Sequence, residues 1–142
     1  MADGLAFAVT EHPEAADLDR LSQHLGDFNA ADAGPSNRRA LAVFVRNSAS
    51  QMVAGLSGYT AWGWLYVQWL WVGENQRGLG LAAQMLAAAE TEARARGCHG
   101  AYIDTFNPTA LKVYQRAGYG VFGQLRDFPM GRTRSFLSKA LS

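Results

Sequence analysis

The sequence predicts a single α/β domain in which a mixed β-sheet is flanked by helices. Three observations support this fold class. A chain of 142 residues with 49% hydrophobic and 18% charged side chains suits one ordinary globular domain. Segments with the period-two alternation of strands are interspersed with segments that have the 3.6-residue period of helices. Residues 64–72 carry large side chains on both alternating sets, which is typical of a central strand covered on both faces.

The N-terminal quarter is predicted to contain a strand, a helix and a loop. Residues 5–9 form a short apolar run before a break at Pro13, and this run predicts a first strand. Residues 13–28 predict a helix, because large apolar residues recur at steps of three and four along one face: Leu18, Leu21, Leu25 and Phe28. Residues 30–37, which include Gly34 and Pro35, predict a loop.

Three strands are predicted next. Residues 39–46 have apolar side chains at period two, and residues 52–60 and 64–72 give two further strands. Trp62-Gly63 lies in the short connection between the last two. We therefore expect these two strands to form an antiparallel hairpin.

Residues 78–96 predict the clearest helix of the chain. Its apolar face follows steps of three and four through Leu79, Ala82, Leu86, Ala89 and Ala93. Gly97 is a natural terminator for this helix. The remaining elements are predicted as a strand, a helix stopped by Gly118, and a closing pair of strands: 101–106, 108–116, 119–125 and 133–141.

Charge and cysteine content exclude several classes of protein. The formal net charge of +1 gives no global attraction to nucleic acid or to anionic lipid. Cys98 is the only cysteine, so no internal disulfide forms, and the three histidines lack metal-ligand spacing. The start of the chain lacks a signal-peptide pattern, and we expect a soluble, cytoplasmic protein without a metal. A solvated face is expected for the basic residues near the C-terminus: Arg126, Arg132, Arg134 and Lys139.

Residues 73–80 connect a strand directly to a helix and contain Gly78 and Gly80. The first N–H groups of a helix have no internal partner, and a diphosphate can satisfy them where glycine allows close approach. A pyrophosphate cradle is therefore predicted over Arg77, Gly78, Leu79, Gly80, Leu81 and Ala82. The glycine spacing alone also fits a tight turn. A dinucleotide fingerprint would need a third glycine, and a P-loop would need a Lys-Ser/Thr pair; both are absent.

Two motifs in register resemble a known family. Arg77-x-x-Gly80-x-Ala82 resembles the acyl-CoA motif of the GNAT-type N-acetyltransferases. Asn107-x-x-Ala110-x-x-x-Tyr114-x-x-x-Gly118-Tyr119 resembles the later signature of the same family. A helix and a strand separate the two motifs, as in that family, and the resemblance covers nearly the whole chain. The sequence is most similar to the small bacterial-type members.

The resemblance implies a mainly antiparallel sheet that is splayed between its two central parallel strands. It implies acetyl-CoA as the donor, with the pantetheine arm along Leu70, Trp71 and Val72 and the pyrophosphate on the predicted cradle. Asn107 would hold the arm or the splayed strand end. Tyr114 would be the general acid for the leaving thiolate, since a phenol with a pKa of about 10 stays protonated at neutral pH.

The residues on the acceptor side are less closely specified. Asp104 is the nearest plausible carboxylate, because residues 64–72 contain no acid, and it is predicted as base or amine ligand. It could also cap a turn or be solvated, and a water chain or an amine that arrives neutral would make a protein base unnecessary. By the same resemblance, an aromatic wall able to attract an amine would include Trp62, Trp64 and Tyr66, with Phe28 and Asn29 nearby.

The sequence therefore predicts direct transfer of an acetyl group to a primary amine of a small molecule, without nucleic acid or membrane partners. Two alternatives remain open at this stage. The chain could acetylate protein N-termini or lysines, or it could be a non-catalytic acyl-CoA-binding module. Pairing of the C-terminal strands between subunits would give a homodimer.

Overall fold

The computed structural model describes residues 4–142, which divide into a unit that ends at Ser36 and a unit of Asn37–Ser142. The first unit contains one helix, α1 (Ala15–Ala33). This helix runs five residues beyond the predicted end at Phe28. The extension contains three alanines, which are the strongest helix formers, and it ends at Gly34, whose φ is 88°.

The prediction of a strand over residues 5–9 is wrong. These residues have no strand conformation, and Phe7 is 91% exposed. A strand owes its hydrogen bonds to a neighbouring strand, so an apolar run forms one only where a sheet edge receives it. No described strand pairs with this run.

The second unit is a six-stranded sheet with the order β1-β2-β3-β4-β6-β5. All neighbouring strands are antiparallel except β3 and β4, which are parallel. Helix α2 packs on the first three strands and helix α3 packs on β4. The predicted fold class is therefore confirmed. The bounds are β1 (Arg39–Arg46), β2 (Met52–Ala61), β3 (Trp64–Val72), α2 (Leu81–Ala95), β4 (Gly100–Thr105), α3 (Pro108–Arg116), β5 (Gly120–Arg126) and β6 (Thr133–Ala140).

The core of this unit lies on one face of the sheet, beneath α2 and α3. Strand side chains and α2 side chains meet there with almost no exposure: Leu56, Leu65, Val67, Ile103 and Leu137 with Met85 and Leu86. On the other set of β3 positions, Trp69 is 69% and Trp71 is 52% exposed. The prediction that both faces of this strand are covered is therefore wrong for its second half.

A buried polar cluster ties α2 to β6. The Glu90 carboxylate, on α2, accepts hydrogen bonds from the Tyr119 hydroxyl at 2.8 Å and the Lys139 ammonium at 2.8 Å. Lys139 also donates to the carbonyl of Ala117, at the end of α3. Burial and the bond to Glu90 raise the pKa of Tyr119. Since Lys139 holds a buried carboxylate, it does not belong to the solvated basic face that the sequence predicted.

Candidate active site

The two central strands separate as they leave the middle of the sheet. Parallel pairing joins Trp64–Val67 of β3 to Gly100–Ile103 of β4, and neither strand pairs with the other beyond those residues. The ends of β3 and β4 therefore leave a gap, and the splay expected from the family resemblance is present. The first turn of α3 begins directly beyond the β4 side of this gap.

A bulge in β3 lies at the start of the splay. The β2–β3 register passes from Gly58 opposite Val67 to Ser57 opposite Trp69, so Gln68 is an extra residue in β3. A bulge of this kind bends the strand and increases its twist. The approach is close enough that a Cβ on Gly58 would lie 1.8 Å from the carbonyl oxygen of Tyr66. The two strands can therefore approach this closely only with glycine at position 58.

The predicted cradle forms the turn that opens α2. Gly78 has φ 82° and Gly80 has φ 75°, which a right-handed helix does not allow, so α2 begins at Leu81 and not at the predicted residue 78. No side chain caps this helix. A Cβ on Gly78 would meet no atom within 4 Å, so the turn is open to an approaching ligand. Arg77 is bound through Nε to the carbonyl of Val72 at 3.3 Å, which ties the turn to the end of β3.

A cavity of about 470 Å³ lies between α2, α3 and the separated strand ends, and we call it the helix-side cavity. Seven of the residues predicted to bind a cofactor line it: Leu70, Trp71, Val72, Arg77, Ala82, Asn107 and Tyr114. The other four predicted residues, Gly78 to Leu81, form the adjoining turn and do not line the cavity. Four further lining residues were not predicted to bind the cofactor: Thr105, Thr109, Ala110 and Val113. Val113 could have been found from its helical spacing, since it shares a face of α3 with Ala110 and Tyr114.

A second cavity of about 290 Å³ opens beside Trp69, and we call it the Trp69 cavity. It shares five lining residues with the helix-side cavity: Leu70, Trp71, Thr105, Asn107 and Tyr114. The residues that line the Trp69 cavity and are absent from the lining of the helix-side cavity include Gln68, Trp69, Asp104, Phe106 and Arg134. The two cavities therefore meet at the gap between β3 and β4.

Tyr114 is placed at this meeting point by α3. Its side chain is 5% exposed, and it lines both cavities. Burial, together with the negative charge of Asp104, raises the pKa of Tyr114 to about 12. The hydroxyl is therefore protonated throughout the physiological pH range and is available as a hydrogen-bond donor.

Asn107 also lines both cavities, and its side chain has a clear structural role. The side-chain amide oxygen, Oδ1, accepts hydrogen bonds from the backbone N–H groups of Thr109 at 2.9 Å and Ala110 at 3.0 Å. Pro108 occupies the first turn, where its missing N–H costs nothing. Asn107 thus caps α3 and fixes the helix that carries Tyr114.

Asp104 is the last residue but one of β4, and of the two cavities it lines only the Trp69 cavity. Its Oδ1 forms an ion pair with Nη2 of Arg134 at 2.7 Å, and its Oδ2 accepts a hydrogen bond from the Tyr66 hydroxyl at 3.1 Å. The guanidinium of Arg134 lies 4.5 Å from the centre of the Phe128 ring. Arg134 is therefore a residue of the site, and it does not belong to the solvated basic face predicted from the sequence. Sequence reasoning missed this pair, because the β4–β6 register joins residues thirty positions apart.

Three aromatic residues predicted for the acceptor side belong to the second unit and line neither cavity: Trp62, Trp64 and Tyr66. Tyr66 stacks on Tyr102 with ring centres 4.6 Å apart and contributes through its hydroxyl to Asp104. Trp64 packs edge-on against Tyr102 and, with Trp62, lies at the end of β3 remote from the splay. Phe28 and Asn29 lie on α1 in the N-terminal unit. Their role in acceptor binding stays a prediction.

Other features of the described chain bear on the class of protein. Among residues 4–142, no group of three His, Cys, Asp or Glu side chains is placed to hold a metal ion. Within the same range, no helix is long and apolar enough to span a membrane. Cys98 is buried, and burial raises the pKa of its thiol.

Comparison with known proteins identifies the family. The model of the acetyltransferase (GNAT) family matches residues 8–119. An acetyltransferase of Agrobacterium fabrum is 43% identical over 133 residues, which are 94% of this chain and 97% of that protein. The blasticidin-S acetyltransferase of Streptomyces morookaense is 37% identical over 101 residues, 70% of this chain and 74% of that protein.

A crystal structure assigned to an acetyltransferase of Agrobacterium tumefaciens has the same fold. It superposes with a TM-score of 0.90 at 42% sequence identity and covers 96% of this chain and 99% of that one. This family assignment agrees with the splayed strands and with the open glycine turn. The chain belongs to the GNAT family and is an acetyltransferase.

Proposed function

We propose that this acetyltransferase moves an acetyl group from acetyl-CoA directly to a primary amine of a small molecule, with Tyr114 as the general acid. One observation carries the proposal. Two cavities on either side of the strand gap share Tyr114, so a donor in one and an acceptor in the other would meet beside its hydroxyl.

The helix-side cavity has the features that a CoA thioester needs. The uncapped start of α2 and the open turn at Gly78 and Gly80 present backbone N–H groups to a pyrophosphate, which the helix dipole also favours. Arg77 lines the same cavity and adds a positive charge. Beyond Val67, β3 has no β4 partner, so the main chain along Leu70–Val72 that faces the gap could pair with the amides of a pantetheine arm if the Val72 carbonyl is shared with Arg77.

Acetyl-CoA supplies an acetyl thioester, whose carbonyl carbon takes the amine nitrogen while the thiolate leaves. Tyr114 would stabilise that thiolate by donating a hydrogen bond as negative charge develops on the sulfur. An ordinary thiol has a pKa of about 8.5, below the value of about 12 for Tyr114. The phenol therefore keeps its proton until negative charge develops on the sulfur, and as the general acid it would pass that proton along the hydrogen bond to the leaving group.

Asp104 is proposed to act on the amine side. It lines the Trp69 cavity and not the helix-side cavity, so it faces the acceptor and is separated from the leaving sulfur. Its oxygens each accept one bond from the protein, while an ionised carboxylate has about four acceptor positions. The remaining positions can hold the ammonium or receive its proton.

A small-molecule acceptor is favoured by the relative named for blasticidin S, which is 37% identical to this chain. The experiment is a thiol-release assay with acetyl-CoA and a panel of small amines, lysine peptides and peptides with free N-termini. We expect release that depends on small amines, with the acetylated product detected by mass spectrometry. If only the peptides were acetylated, the proposal would be wrong and the protein would be a protein acetyltransferase. Binding of CoA without turnover on any amine would indicate a non-catalytic module.

A further inference from the structure

The Trp69 cavity has aromatic side chains at both edges of the strand gap. Trp69 and Trp71 belong to β3, and Phe106 follows the last residue of β4. All three remain largely accessible, with Phe106 44% and Trp69 69% exposed. Aromatic faces attract other ring systems in offset or edge-on contact beyond the area that they bury. The cavity is therefore suited to a flat ring between the two edges.

The charges that line this cavity cancel. Asp104 and Arg134 are its only charged lining residues, and their side chains form an ion pair at 2.7 Å. An acceptor with several ammonium groups would meet Arg134 as well as Asp104 and would gain no net attraction. The unused acceptor positions of Asp104 serve one amine, while the rest of the lining favours an uncharged group.

The volume sets an upper limit on the enclosed part of the acceptor. A cavity of about 150 Å³ is known to bind benzene. The Trp69 cavity, at about 290 Å³, therefore has room for one ring with a short amine-bearing chain or for a fused pair of rings. It is too small to enclose several linked sugar rings.

We infer that the acceptor is a single primary amine attached through a short chain to a flat aromatic or heteroaromatic ring, which packs on Trp69 and Phe106. This inference rests on the proposed function and adds the substrate class to it. Trp69 is then a residue that determines specificity, since it lines the Trp69 cavity without lining the helix-side cavity.

The test compares three amines with acetyl-CoA in the thiol-release assay: phenethylamine, cyclohexylethylamine and spermidine. The first two share chain length and ring size and differ in planarity, while spermidine is a flexible polycation. We expect kcat/KM for phenethylamine to exceed that for cyclohexylethylamine by about three- to tenfold, on the usual magnitude of aromatic contacts. Spermidine should be the poorest of the three.

The variant Trp69→Leu should raise KM for phenethylamine by about three- to tenfold and leave cyclohexylethylamine nearly unchanged. The matched control is Phe122→Leu, which removes an exposed aromatic ring from β5 that lines neither cavity. The affinity for CoA should be unchanged in both variants. Equal or better turnover of spermidine or cyclohexylethylamine would overturn the inference, as would an equal effect of Trp69→Leu on both ring amines. Failure to acetylate any amine would instead refute the proposed function.

Discussion

The close contact of Gly58 with β3 offers a sharp test of how the bulge in β3 is formed. In Gly58→Ala, the new methyl group would lie 1.8 Å from the Tyr66 carbonyl oxygen and 3.2 Å from the Gln68 nitrogen. Both atoms belong to the backbone of the neighbouring strand, so no side chain can rotate away. The strands would have to separate locally by more than about 1 Å to reach a tolerable carbon–oxygen distance.

The expected cost follows from what this separation breaks. Losing about two ladder hydrogen bonds costs about 0.5–1.5 kcal/mol each, and overpacking adds about 1–3 kcal/mol. The variant should therefore be less stable by about 2–6 kcal/mol, a large share of the 5–15 kcal/mol that is typical of native proteins. For a chain of this size, Tm should fall by roughly 7–20 °C.

Urea and thermal unfolding monitored by circular dichroism would measure this loss, with kcat determined on the folded protein. The matched control is Gly120→Ala in β5, where an added Cβ would meet no atom within 4 Å. That control should change the free energy of unfolding by no more than about 0.5 kcal/mol. If Gly58→Ala were as stable as Gly120→Ala, the claim that close strand approach builds the bulge would be refuted.

Further predictions concern two buried tyrosines and the lysine that shares Glu90 with one of them. Tyr119→Phe removes one of the two hydrogen bonds that Glu90 accepts and should lower the free energy of unfolding by about 1.5–3 kcal/mol in urea titrations. Lys139→Met leaves the buried Glu90 carboxylate without its cation and should cost more, about 3–5 kcal/mol; the reverse order would contradict the described cluster. The raised pKa of Tyr114 favours its protonated form in the folded state, so its contribution to stability is complete below the unfolded value of about 10 and is lost as pH rises to about 12. Tyr114→Phe should weaken the decline of Tm above pH 10, and an unchanged decline would argue against this shift.

Local signals in the sequence predicted much of the second unit. Asn107-Pro108 marks the start of α3, because a capping side chain and a proline in the first turn act within a few residues. The same holds for the Trp62-Gly63 turn, in which both residues have positive φ. The start of α2 was misplaced by three residues because glycine tolerates helical and left-handed conformations alike, and the sequence does not distinguish them.

The features that sequence reasoning missed depend on contacts between distant residues. Residues 5–9 do not form the predicted strand, because no described strand pairs with them. The ion pair of Asp104 with Arg134 requires the β4–β6 register, and the exposure of Trp69 depends on what covers one face of the sheet. The sequence predicted Tyr114 and Asp104 as site residues, whereas Trp69, Phe106 and Arg134 are brought to the Trp69 cavity by the pairing of the strands.

The most direct test of the central claim is the rate of acetyl transfer in Tyr114→Phe. The substitution removes one hydroxyl from a buried ring that lines both cavities. Tyr102→Phe is the matched control, since Tyr102 also has a pKa raised to about 12, mainly by burial, yet lines neither cavity. Single-turnover measurements should give a rate about ten- to a thousandfold lower for Tyr114→Phe, with CoA affinity nearly intact and the control unaffected. An undiminished rate in Tyr114→Phe would contradict the account and remove Tyr114 from the mechanism.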